Sequence, residues 1–266
     1  MMGVDKAQVA RQFSRAAPRY QLASEVQNQM ADYLLDMLPE GVDSPERVID
    51  LGCGAGYLTK ALARRHPLSH LIGLDIAAGM LAASQQYFGG SDFLCSRPPS
   101  WLQADMESLP LESDSVDLIY SNASLQWTDF EQSLAEIKRI LAPGGKAILA
   151  TFVQGTLAEW HSALGLAGHR GLHSLQTMDE LLAALSRSGL NLVQSDRRSY
   201  QIEHTSAQSL LESTKRMGAT NAQVSRRKGL MGRGFYTNLI TAIESEFAEQ
   251  KYQSTYVAAF MVLEND

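Results

Sequence analysis

The stretch best suited to chemistry is a carboxylate set just ahead of a glycine turn: residues 50–56 read Asp-Leu-Gly-Cys-Gly-Ala-Gly. Glycines at alternate positions let the chain turn sharply and leave its backbone bare for a ligand. A dinucleotide pattern GxGxxG would need its last glycine at position 57, where the sequence has Tyr57. Asp50 would also repel a pyrophosphate at the helix N-terminus behind the turn. A cationic ligand fits better. Asp75 follows 19 residues after Gly56, a suitable place to accept hydrogen bonds from a ribose diol, and Asp105 ends the next apolar segment.

These acids need strands to present them. RVIDL (47–51), HLIGLD (70–75), WLQAD, VDLIYSN and KAILATFV read as strands, with helices over Tyr57 to His66, Ala77 to Tyr87 and Asp129 to Leu141, the last terminated by APGG. Strands alternating with helices of this length predict βαβ units and a parallel sheet covered on both faces. Asp50, Asp75 and Asp105 then stand at the carboxyl ends of three consecutive strands, at the crevice where open α/β sheets bind ligands. S-adenosylmethionine matches that crevice chemically, offering an ammonium, a ribose, an adenine amine and a sulfonium, and no phosphate. Before the first strand, Leu22, Val26, Met30, Tyr33, Leu34 and Met37 predict one amphipathic helix ended by Pro39 and Gly41. After Val153 the spacing predicts helices over Leu157 to Leu166, Thr177 to Ser188, Ala207 to Met217 and Phe235 to Phe247. Strands are expected from Leu190 to Ile202 and over STYVAAFMVLE at the end.

The chain has 266 residues, 45% hydrophobic and 20% charged, which describes a globular protein and excludes a collagen, a disulfide miniprotein or a disordered tail. No apolar signal core or membrane-length apolar run is visible, and Cys53 and Cys95 are the only cysteines, so a cytoplasmic protein is expected. A net charge of −6 argues against a nucleic-acid binder held by global charge. That average conceals a basic island. Residues 213–233 carry Lys215, Arg216, Arg226, Arg227, Lys228 and Arg233 with no acid, leaving −12 on the remainder.

VIDLGCGAGYLT, GLDIA, QADMESLPL, VDLIYSN and LAPGGKAIL, in that order, resemble the class I S-adenosylmethionine-dependent methyltransferases. The resemblance implies a Rossmann-like α/β fold: a seven-stranded, mostly parallel sheet with helices on both faces, a helical elaboration in the C-terminal half, and an antiparallel last strand. FSRAAPRY, ESLPL, SNASLQW, TFVQGTLAEW and TKRMGATN are further similar to one subfamily, the malonyl-[acyl-carrier protein] O-methyltransferases that begin biotin synthesis. The SRPPS loop is longer than that subfamily implies. A single methyltransferase domain is expected, with a helical lid at 1–40, a cofactor core at 47–153, a substrate-side elaboration at 154–253 and the final strand at 254–264.

By position, the resemblance assigns Gly52, Gly54 and Gly56 to the methionine moiety, Asp75 to the ribose hydroxyls, and Asp105 with the backbone of Met106 to the adenine, with Asp50 and Ile76 as further cofactor-binding residues. Tyr20 on the lid and Asn122 complete the cofactor set. The implied reaction is methyl transfer to the free carboxylate of a malonyl thioester. With a carboxyl pKa of about 4 that group is already ionised, so no general base is required. Asn122, Gln126 and Trp127 are candidates to orient the acyl group, or merely cap the loop and pack. No metal is expected; His169 and His173 have i, i+4 spacing but no third ligand nearby. An acidic acyl-carrier protein is the expected partner, with Lys215, Arg216, Arg226, Arg227 and Lys228 as its docking charges or as a solvated helix face. Arg198, or one of those residues, could instead clamp the malonyl carboxylate. Two rivals stay open: a methyltransferase of the same fold acting on a free small carboxylic acid or quinone precursor, and a non-catalytic S-adenosylmethionine-binding protein.

Overall fold

The computed structural model describes residues 5–21, 24–39, 42, 44–89, 97–166, 175–216, 233–247 and 251–266. Seven strands form one sheet: β1 Arg47–Leu51, β2 His70–Asp75, β3 Ser100–Gln103, β4 Val116–Asn122, β5 Leu141–Phe152, β6 Asn191–His204 and β7 Tyr252–Glu264. Their order is β3-β2-β1-β4-β5-β7-β6, and β7 runs antiparallel to both of its neighbours while every other pair is parallel. The chain moves outward from β1 to β3 and then crosses to β4 on the other side of β1. That reversal opens a crevice at the carboxyl ends of β1 and β4.

The strand alternation sorts the core into two faces. Val48, Leu118, Tyr120, Ile148 and Phe260 join a cluster with Met30 and Leu34 of α2 (Glu25–Asp36), Leu62 of α3 (Tyr57–Arg65) and Trp160 of α6 (Ala158–Leu166). Their neighbours Ile49, Ile119, Leu149 and Met261 face the opposite way, toward Leu134 and Ile137 of α5 (Phe130–Ile140) and Leu181 and Leu185 of α7 (Met178–Ser188). Helices α8 (Ala207–Arg216) and α9 (Arg233–Glu246) add Leu210, Leu239 and Ile243 to the first face. A central strand covered on both sides carries apolar residues continuously, which is why RVIDL and HLIGLD are legible as strands with the bounds observed.

Two expectations change. The N-terminal segment holds two helices, α1 (Lys6–Tyr20) and α2. In α1 the Asp5 carboxylate accepts from the Gln8 N–H at 2.9 Å, a helix-starting cap. Its apolar stripe is thin, with only Val9 and Ala17 buried where α2 buries Val26, Met30, Ala31 and Leu34, and Pro18 stands inside it. Second, APGG does not form a loop after α5. The chain enters β5 already at Leu141, and the extra residues are taken up as an irregularity opposite Val116 and Leu118, where Gly144 takes φ +76°.

Among the described residues no helix is long and apolar enough to cross a membrane. Cys53 is buried, while Cys95, His169, His173, Arg226, Arg227 and Lys228 lie outside the described residues.

Candidate functional site

A cavity open to solvent lies over the carboxyl ends of β1, β2 and β4. The turn after β1 forms its floor. Gly52 and Gly54 take φ of +80° and +53°, which L side chains rarely adopt, and a Cβ on Gly52 would lie 2.4 Å from that of Ser124. The turn is tied to β2, because the N–H groups of Gly52 and Cys53 both donate to the Leu74 carbonyl, at 2.7 and 2.9 Å. Beyond β4, Ser121 and Ser124 hydroxyls both reach the Leu51 carbonyl, which fixes the loop carrying Ser124 against the same turn.

Asp75 closes the β2 side. Its carboxylate accepts from the Gly54 N–H at 2.9 Å and from the Ala77 N–H at 2.7 Å, and burial pushes its pKa up to about 6 despite those bonds. Asp105 lies two residues past β3 in a tight turn, where one carboxylate oxygen accepts from the Glu107 N–H at 3.0 Å. Its other oxygen accepts from the Lys6 ammonium at 2.6 Å.

Helix α1 forms the roof. It is seated on α4 (Ala78–Gly89), where the Gly79 N–H donates to Ser14 Oγ, and on the glycine turn, where Gln21 donates to the Ala55 carbonyl. Phe13 meets Tyr20 and Trp127 edge-to-face, with ring centroids 6.1 and 5.6 Å apart, so one aromatic row crosses from the lid to the loop after β4. Burial and the Asp75 charge push the Tyr20 hydroxyl upward, keeping it protonated.

The walls therefore offer carboxylates at one end, bare backbone at the centre and aromatic cover. Asn122 adds a polar handle. Its amide nitrogen donates to the Gln27 carbonyl of α2 at 2.8 Å, while its oxygen is buried with no protein partner.

Residues 49–149 match the family model described as a methyltransferase domain. A malonyl-[acyl-carrier protein] O-methyltransferase from Methylovorus sp. (strain MP688) is 33% identical over 95% of this chain and 86% of its own. One from Hahella chejuensis is 33% identical over 95% of this chain and 88% of its own. The chain belongs to the malonyl-[acyl-carrier protein] O-methyltransferase family. Solved structures agree on the fold. The YcgJ protein from Bacillus subtilis matches with TM-score 0.63 at 17% identity, over 89% of this chain and 98% of that one. The geranyl diphosphate C-methyltransferase of Streptomyces coelicolor A3(2), solved with S-adenosyl-L-homocysteine, matches with TM-score 0.53 at 17% identity, over 90% of this chain and 76% of that one.

In this O-methyltransferase family member the cavity wall brings together nine of the residues singled out from the sequence. Gly52, Gly54, Asp75, Ile76, Asp105, Met106, Asn122, Trp127 and Tyr20 all line it. Four others stand elsewhere. Asp50 shares the strand face of Val48 and so points beneath α3, where it is 1% exposed, accepts from Thr59 Oγ1 at 2.5 Å and is driven by burial to a pKa of about 7. Gly56 caps α3 in the left-handed region and packs on Ser84. Gln126 is held locally, donating to the Ala123 carbonyl and accepting from Thr151. Arg198 is on β6, beyond β5 and β7 from the crevice, paired with Asp196 at 3.0 Å and stacked 3.3 Å over the Tyr33 ring. It does not reach the cavity as a carboxylate clamp.

Lys6, Phe13 and Ser124 line the cavity without having been singled out. Lys6 and Phe13 are carried by α1, the helix whose thin stripe hid it. Ser124 shows itself through its contact with Gly52 and its bond to the Leu51 carbonyl.

Proposed function

We propose that this chain transfers the methyl group of S-adenosylmethionine to the free carboxylate of a malonyl group carried as a thioester on acyl-carrier protein, giving the methyl ester that starts the pimeloyl chain of biotin. One observation carries the reading: the glycine turn, Asp75 and Asp105 converge on one cavity in a chain similar along nearly its whole length to relatives bearing that activity in their names.

The cavity suits S-adenosylmethionine by its donor set. Gly54 keeps the turn's backbone bare beneath the lid, since a Cβ there would already touch the Tyr20 ring at 3.7 Å. The buried, unpartnered Asn122 oxygen is an acceptor that an ammonium would satisfy, and leaving it orphaned costs roughly 1 to 3 kcal/mol. Asp75 and Ile76 would hold the ribose, and Asp105 with Met106 the adenine. When bound, the cofactor supplies an electrophilic methyl on a positively charged sulfur.

The protein's own residues need only place and shield. Because the acceptor carboxylate is already an anion at neutral pH, no side chain has to remove a proton. Alignment of one carboxylate oxygen opposite the leaving sulfur, with water kept out by Phe13, Tyr20 and Trp127, is a contribution of up to roughly 7 to 11 kcal/mol in favourable cases. Trp127, on the cavity wall against Phe13, is placed to cover the acyl group.

Acyl-carrier protein is acidic, and Lys215 and Arg216 end α8 in the middle of an otherwise acidic chain. We assign these two, with Arg226, Arg227 and Lys228 of the same basic stretch, to docking of the carrier, where opposite charge raises the on-rate and fixes orientation. The assignment is tested by incubating the protein with methyl-labelled S-adenosylmethionine and malonyl-acyl-carrier protein and weighing the carrier. A gain of one labelled methyl on the carrier that base releases as labelled methanol identifies a carboxyl ester. Label on the protein or on a free acid alone would contradict it.

A further inference from the structure

Lys6 opens α1 and its ammonium lies between two acids, 2.6 Å from Asp105 Oδ2 and 2.5 Å from Glu107 Oε2. Asp105 has little choice of partner. Its Oδ1 accepts from the Glu107 N–H and its Oδ2 from Lys6, and Asp105 lines the cavity. Glu107 is 8% exposed and anchored, since its Oε1 accepts from the Asp129 N–H at 2.8 Å at the start of α5. Although burial alone would lower the Lys6 pKa, the bonds and charges of the two acids outweigh it and raise it, so Lys6 is a cation at any physiological pH.

We propose that Lys6 is a built-in competitor for the carboxylate that receives the adenine amine. This rests on the cofactor reading above, in which Asp105 accepts from the exocyclic amine. The Lys6 ammonium and that amine are both donors drawn to the same carboxylate, and a shift of Lys6 toward Glu107 would leave Oδ2 to the amine. Glu107 provides the place to go, because it stays fixed by α5 whichever donor holds Asp105. The exchange also concerns the roof. Lys6 is the first residue of α1, and its ion pairs join that end of the helix to the far wall of the cavity, 99 residues away in sequence. Lys6 therefore sets cofactor affinity and the seating of α1 together: the tighter the pair, the better closed the roof and the weaker the net gain on binding adenine.

The test uses the full chain, with S-adenosylhomocysteine as probe, by calorimetry, and hydrogen exchange across residues 5–21 without ligand. Lys6→Met should bind the probe about fivefold more tightly, the order expected for releasing one partly buried ion pair, and its α1 amides should exchange faster. Lys6→Arg, which keeps the charge, should retain slow exchange and gain no affinity. Binding by Lys6→Met that is unchanged or weaker than wild type overturns the competition while leaving the cofactor assignment intact. No binding by wild type or variant removes the cofactor assignment and the proposal with it.

Discussion

The Gly54 N–H donates to the Asp75 carboxylate at 2.9 Å, so the glycine turn after β1 and the acid ending β2 form one structural unit. A ligand held by Asp75 is thereby registered against the backbone of the turn, and each glycine of the turn has its own task. Gly52 closes against Ser124, whereas a Cβ at Gly54 would make only ordinary contact with Tyr20.

Gly52→Ala and Gly54→Ala should therefore fail differently. The first combines a left-handed φ with a 2.4 Å approach to Ser124 and should lose at least about 2 kcal/mol of stability. The second carries only the left-handed penalty of about 1 to 2 kcal/mol, folds, and loses cofactor affinity because the methyl stands on the cavity wall. Chemical denaturation beside calorimetry separates the two. Equal stability losses with intact affinity in Gly54→Ala would contradict the assignment.

The pH dependence of cofactor binding should report Asp75. Its carboxyl is raised to about 6, so it is ionised above that pH and accepts hydroxyl donors best there. Affinity for S-adenosylhomocysteine is expected to fall as pH drops below about 6. Asp75→Asn should bind roughly 1 to 3 kcal/mol more weakly at pH 8 and lose that dependence. A variant with the wild-type pH profile would place the titration elsewhere.

Asp50 predicts a stability effect of its own. With the carboxyl raised to about 7 by burial, the folded chain holds this proton more tightly than the unfolded chain, whose value is 3.8. The resulting stabilisation is fully present below about 3.8 and is lost as pH rises to about 7. Asp50→Asn removes the ionisation, so the difference in unfolding midpoint between variant and wild type should grow in the variant's favour from pH 4 to pH 8. A constant difference would show that Asp50 does not titrate in the fold.

For the carrier surface, Lys215→Glu with Arg216→Glu should raise KM for malonyl-acyl-carrier protein, leave kcat little changed and flatten the salt dependence of kcat/KM. Steady-state kinetics at two ionic strengths decides it, and an unchanged KM would return both residues to a solvated helix face.

Much of this site is legible in the sequence because it follows from local rules. Buried parallel strands are continuous apolar runs, so the ends of β1, β2 and β4, and with them Gly52, Gly54, Asp75 and Asn122, could be placed before any coordinate was known. Asp50 is misjudged from the motif because its direction depends on the strand's two-residue period, which turns it under α3 toward Thr59. Lys6 escapes notice for a different reason. Nothing in residues 5–21 announces that its partners lie at 105 and 107, since an ion pair across the fold leaves no periodic mark. Arg198 shows the converse: an arginine attractive as a carboxylate clamp is already engaged by Asp196 and Tyr33, far from the crevice along the sheet.

The central claim, methyl transfer to a carrier-bound malonyl carboxylate, is tested most directly by comparing initial rates for malonyl-acyl-carrier protein, malonyl-coenzyme A and free malonate at equal concentration, with S-adenosylmethionine saturating. The account predicts the highest kcat/KM for the carrier-bound substrate and the lowest for free malonate. A rate for the free acid equal to or above that for the carrier thioester would contradict it.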